Sequence, residues 1–178
     1  GDCAIARVED RLIDPTVLGL DVVPTQLAQV EYGDVVVKSG RTTAVTRGVV
    51  RRVDVIARVD FGHSAGERLI GCFEYEPLPD APSDYEVSMR GDSGSAVLLD
   101  EDPTVVLGLH FAGERRSDPD EHGLACYAPS VFTKLEITLT PPAPGQLEAA
   151  GDGYDPAFTE TFVDRPWLSD DQYEDAVK

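Results

Sequence analysis

Between Val35 and Phe111 the chain is a series of short β-branched runs separated by glycine and proline, and no stretch before residue 138 keeps a helical period over a useful length. Apolar runs of this kind, bounded by turn formers, read as strands. Val35–Lys38 is one. Ser39-Gly40-Arg41 turns, and Thr42–Thr46 returns as the next. The β-branched residues from Val49 to Val59 predict a long strand of mixed exposure over Arg47 to Asp60. Gly62–Gly66 is expected as a hairpin tip and Arg68–Tyr75 as the returning strand. Ala96–Leu99 and Thr104–Phe111 are expected to be neighbours, joined through Asp100–Pro103. Cys3-Ala4-Ile5-Ala6, within residues 2–8, reads as a buried strand. Thr16–Val23, set off by Pro15 and Pro24, reads as a connector wrapping the barrel. Several short strands with Gly and Pro punctuation predict an all-β barrel.

Charge narrows what such a barrel can bind. With 33 acidic and 15 basic residues the 178-residue chain carries a formal charge of −18. Phosphate recognition needs clustered Lys and Arg, so nucleic acid is excluded as a partner, and so is an anionic membrane surface. No apolar run approaches the length of a membrane span. Cys3, Cys72 and Cys126 are odd in number, widely spaced and set among apolar neighbours. They read as buried free thiols and suit a reducing compartment. None has the spacing or histidine neighbour of a zinc site, and no metal or cofactor is expected.

The composition changes after Leu139. Thr140-Pro141-Pro142-Ala143-Pro144-Gly145 reads as a stiff spacer. Residues 146–178 are acidic with Tyr154, Phe158, Phe162, Trp167 and Tyr173 set among the charges. The expected division is a barrel over 1–138 and an extended, partly helical tail over 139–178. Trp167 and at least one of Phe158 and Phe162 are expected to pack back on the barrel, because aromatics bury large areas.

Met89-Arg90-Gly91-Asp92-Ser93-Gly94-Ser95-Ala96 carries the chemistry. Glycines are kept where a chain turns tightly or lets another backbone approach. Here the approaching group can be a substrate carbonyl, with the Gly91 and Ser93 amides aimed at the oxygen where charge develops and Ser93 as nucleophile. A plain Gly/Ser/Asp turn before a strand is the alternative.

Gly91-Asp92-Ser93-Gly94-Ser95 resembles the nucleophile motif of trypsin/chymotrypsin-like serine peptidases. Four other stretches resemble that family in its order. Asp2-Cys3-Ala4-Ile5-Ala6 is similar to the segment bearing the catalytic Asp. Val37–Thr43, continuing through Thr46-Arg47-Gly48-Val49-Val50, resembles a hairpin of bacterial members. Val105–Gly113 resembles the strand that lines the specificity pocket and holds substrate backbone. Ala125–Pro129 with Val131–Leu135 resembles the last strand and closing segment. The resemblance implies the second barrel of a two-barrel fold, and a serine endopeptidase acting on protein or peptide substrates. It implies Ser93 and Asp2 as catalytic residues, Gly91 and Ser93 as oxyanion donors, and His110, Phe111 and Ala112 as substrate-binding residues. Asp92 would shape the oxyanion turn, with a donor or cation as partner if it is buried.

The family's order is His, Asp, Ser, and no histidine precedes Asp2 in this sequence. The chain is therefore expected to be the C-terminal half of a longer protein whose N-terminal portion carries the catalytic His. A non-catalytic module, binding a protein partner through its barrel and acidic tail, is the second class in play. On a strand His110 points opposite to Leu109 and Phe111. The resemblance sets it in the pocket wall, as in glutamate-preferring relatives, and a structural histidine bonded to a neighbour is equally open. Val87, near the expected pocket base, is apolar and gives no support to an Arg or Lys preference. His63 and His122 read as solvated.

Overall fold

The computed structural model describes residues 1–7, 14–62, 66–113 and 121–139. Among these residues seven strands run in chain order as β1 (Gln26–Leu27), β2 (Val35–Gly40), β3 (Ala44–Asp60), β4 (Glu67–Pro77), β5 (Ala96–Leu99), β6 (Val105–Gly113) and β7 (Gly123–Tyr127). Their order in the sheet is β1-β6-β5-β2-β3-β4-β7, and β6 also pairs with β7. That last pairing closes the six longer strands into a ring. The registered pairs within the ring are antiparallel; β1 lies parallel to β6, with Gln26 opposite Val105.

Alternation along the strands fills the ring. Val36, Val50, Phe73, Tyr75, Val97 and Leu107 share one buried cluster. Strand β2 is buried on both faces: Val36 belongs to that cluster, while Val37 packs with Leu98, Val106 and Ala128 in another. Lys38, two residues after Val36, falls on the interior face and is 1% exposed. A lysine there demands an anionic partner, because an unpaired buried charge is prohibitively costly.

Most expected strands are present, some with shifted ends. The chain from Ala44 to Asp60 is a single strand, and Thr42 belongs to the turn before it. Two expectations are corrected. Residues 2–7 form no strand, and Ala4, Ile5 and Ala6 are exposed. None of the registered strand pairs includes them. The segment is held instead at Cys3, which packs beside Cys126 and Phe111. Nor is the chain before residue 138 free of helix: the closing segment contains α1 (Ala128–Leu135), a two-turn helix. Pro129 sits in its first turn, where a missing N–H costs nothing, and Glu136 ends it in the left-handed conformation (φ 52°). The helix is too short to reveal its period in sequence. Thr16–Val23 is a local turn closed by a Val17–Val22 bridge.

By compactness the described residues within Gly1–Val59 and Leu69–Leu139 form one unit, and those within Asp60–Arg68 belong to a second. In the second, the Phe61 amide donates to Gly66 O (3.1 Å) and the Gly66 amide to Gly62 O (2.7 Å). The expected docking of Trp167, Phe158 and Phe162, the tail over 140–178 and the solvation of His63 fall outside the described residues.

Candidate active site

The loop Met89–Ser95 is built around a buried carboxylate. Asp92 is 1% exposed, and its oxygens accept five hydrogen bonds. Lys38 Nζ (2.8 Å), Thr43 Oγ1 (2.6 Å) and the Met89 amide (3.1 Å) donate to Oδ2. The Thr42 (2.8 Å) and Thr43 (3.1 Å) amides donate to Oδ1. Burial alone would raise the pKa of this acid. The hydrogen bonds from Lys38, Thr43, Thr42 and Met89 outweigh it and hold the carboxyl well below the usual range. Lys38 and Asp92 form a buried ion pair, with Lys38 Nζ donating also to Thr43 Oγ1 (2.8 Å). Removing one member would strand the other's charge, at about 3–5 kcal/mol.

Gly40 and Gly91 are demanded by this arrangement. A Cβ on Gly40 would run into the Asp92 carboxyl. Gly91 has φ +103°, outside what side-chain-bearing residues adopt readily, and Thr42 Oγ1 occupies the place of its absent Cβ. Thr42 Oγ1 donates to Arg90 O (2.8 Å), tying the turn after β2 to the residue before Gly91. Asp92 thus plays the loop-shaping part, and its partner is a lysine from β2.

Held this way, Asp92 is buried while Ser93 and Gly94 are exposed. Ser93 Oγ donates to Phe111 O (3.1 Å), and the Gly94 amide donates to His110 O (2.8 Å). Phe111 is the extra residue of a bulge: His110 faces Ala125 and Ala112 faces Leu124 on β7, which leaves Phe111 out of that register. Its side chain is buried, and Ala112 is half-buried. Among the described residues none accepts a hydrogen bond from the Gly91 or Ser93 amide.

The side chains of His110 and Asp2 make no hydrogen bond to Ser93 among the described residues, although the His110 backbone is bonded to Gly94 and Ser95. The His110 ring is 2% exposed and its Nδ1 lies 2.9 Å from Tyr75 Oη, edge-on to the phenol. Burial first, and the nearby Lys38 charge second, push the imidazole pKa down to about 4. Asp2 is half-buried; its amide donates to Cys126 Sγ (3.4 Å), on the β7 residue opposite Leu109. No described side chain hydrogen-bonds its carboxylate. His122 is half-buried and its carbonyl accepts a long hydrogen bond from Ser88 Oγ (3.5 Å).

Lys38, Thr42, Thr43 and Tyr75 were not among the expected site residues. For Lys38 a signal existed: it is one of three lysines in the chain and continues the apolar run Val35–Val37. No group of metal-ligating side chains occurs among the described residues.

No family model matches the chain, and no curated protein matches it. Solved structures do. Thermobifida fusca protease A aligns at 17% identity over 71% of this chain and 61% of its own, with a TM-score of 0.53. Cellulomonas bogoriensis chymotrypsin aligns at 15% identity over 69% of this chain and 58% of its own, at 0.51. The chain thus spans between 54% and 61% of the length of the first solved proteases it matches. At these identities the likeness is one of fold: the chain has the β-barrel fold of the trypsin/chymotrypsin-like serine proteases.

Proposed function

We propose that the chain is the nucleophile-bearing part of a serine endopeptidase acting on protein or peptide substrates. The observation that carries the reading is the buried Asp92–Lys38 pair, which holds a glycine-bounded loop so that Ser93 is presented to solvent. Ser93 is the nucleophile, and the amides of Gly91 and Ser93 receive the developing oxyanion. Asp2 orients the imidazole that serves as base, and that imidazole comes from an N-terminal portion outside these 178 residues. Phe111 and Ala112 offer backbone to the substrate, and His110 backs this strand from the interior. A neutral His110 supplies no charge for an acidic substrate side chain, so any preference set here is for shape and hydrogen bonding.

A second reading has one observation in its favour: the Ser93 hydroxyl is engaged by the Phe111 carbonyl and not by a base. It makes the barrel a non-catalytic binding module. Fluorophosphonate labelling separates the two. The 178-residue chain alone is expected to stay unlabelled and inactive. A longer protein including the upstream histidine is expected to be labelled at Ser93, and Ser93→Ala should abolish both labelling and peptide hydrolysis. Strong labelling of the chain alone removes the need for an outside base; no labelling of the longer protein leaves the binding module.

A further inference from the structure

We propose that Cys3 and Cys126 form a reversible disulfide that staples the segment 1–7 onto strand β7. The inference is independent of the peptidase reading. The two residues are distant in sequence and adjacent in space. A Cβ placed on Gly1 would lie 3.4 Å from Cys126 Sγ and 3.7 Å from Cys3 Sγ, so one point lies in contact with both sulfurs. Between them the Asp2 amide donates to Cys126 Sγ (3.4 Å). Both side chains pack in the apolar cluster with Phe111, Ile70 and Val131, and all three cysteines are free thiols.

Cys72 is the competing partner, and its geometry is worse. Phe73 pairs with Ala125, so one step along the ladder Cys72 comes opposite Cys126. Residues directly opposed on antiparallel strands keep their Cβ atoms about 4.5–5.5 Å apart, whereas a disulfide draws them to about 3.8 Å. Two strands locked in a closed ring resist that approach. Segment 1–7 has no ladder to break and can close the remaining gap. Exposure also selects Cys3: it is half-buried, while Cys126 is 2% and Cys72 0% exposed. Burial pushes the Cys72 thiol up to about 11 and raises that of Cys126 as well, so neither meets an external oxidant first.

The oxidant is a low-molecular-weight disulfide such as oxidised glutathione. The Cys3 thiolate attacks one of its sulfurs, forming a mixed disulfide and releasing one glutathione thiolate. Cys126, having lost its proton to water, attacks the Cys3 sulfur; the Cys3–Cys126 bond forms and the second glutathione leaves. Two protein thiols are oxidised and one glutathione disulfide is reduced to two thiols.

The test is a non-reducing peptide map. The 178-residue chain is treated with oxidised glutathione, free thiols are alkylated, and the denatured protein is cut with trypsin. Gly1–Arg7 is expected to be linked to the peptide 117–134, with Cys72 alkylated in 69–90, and dithiothreitol should release the link. The same link should survive Cys72→Ala and be lost in Cys3→Ser. A link between 69–90 and 117–134, or a Gly1–Arg7 peptide found only alkylated or only glutathionylated, overturns the proposal.

Discussion

His110 shows how far burial can redirect a residue with chemical potential. Its ring lies in the core against Tyr75, and its pKa falls from 6.5 to about 4. In the unfolded chain the imidazole takes up its proton below about 6.5; in the folded one it resists until about 4. Between those values the unfolded state binds more protons, so stability is fully present above the unfolded pKa and is lost as pH falls through the window. The shift corresponds to about 3 kcal/mol at most. Urea unfolding at pH 7, 5.5 and 4 should therefore show a falling midpoint, with a shallower fall in His110→Asn. Parallel profiles for the two proteins would mean that His110 is not the group being titrated.

At the scale of an element, β3 depends on one residue out of strand conformation. Asp54 has φ +58°, in the left-handed region. Before it the even-numbered Val50 fills the barrel cluster; after it the odd-numbered Val55, Ala57 and Val59 face the second cluster, while Ile56 is 69% exposed. A single displaced residue thus exchanges the faces of a 17-residue strand. The Asp54 amide donates to Tyr127 Oη (2.7 Å), and that hydroxyl donates to Cys72 O (3.1 Å), bridging three strands at the swap. Asp tolerates this conformation and a β-branched residue does not. Asp54→Val is expected to lower stability by about 1–2 kcal/mol, while Asp54→Gly stays within a few tenths of the parent. Thermal unfolding of the pair checks this, and a Val variant as stable as the parent would remove Asp54 as the cause of the swap.

For the whole molecule the governing quantity is a net charge of −18. Like charge destabilises a compact state by self-repulsion, which salt screens over about 10 Å at 0.1 M. Opposing this, salt weakens the surface pairs Arg47–Asp100 and Arg51–Glu76, and less so Arg52–Glu74, whose carboxylate is buried. Such pairs contribute about 0–1 kcal/mol each, and the Lys38–Asp92 pair is shielded by burial. Repulsion wins on these magnitudes. The Tm at pH 7 is expected to rise by several degrees between low salt and about 0.5 M sodium chloride. A Tm that falls instead would assign the larger share to the surface pairs.

Much of the barrel was legible because strand-forming runs are local. Val35–Lys38, Ala96–Leu99 and Thr104–Phe111 declare themselves by β-branched content and by the turn residues around them, and the glycine-bounded Ser93 stands out for the same reason. What lay beyond reach depends on contacts between distant residues. Cys3–Ala6 has a strand's composition, yet composition cannot say whether a free edge exists to pair with it. Two turns of helix over Ala128–Leu135 are too few for a period to emerge. The bulge at Phe111 exists only as a mismatch between β6 and β7. Lys38 and Asp92 are 54 residues apart, and neither the buried pair nor the inward turn of His110 toward Tyr75 is written in any local pattern. Propensity and spacing act along the chain; the pairing of buried charge is decided only when the closed sheet removes water from both partners at once.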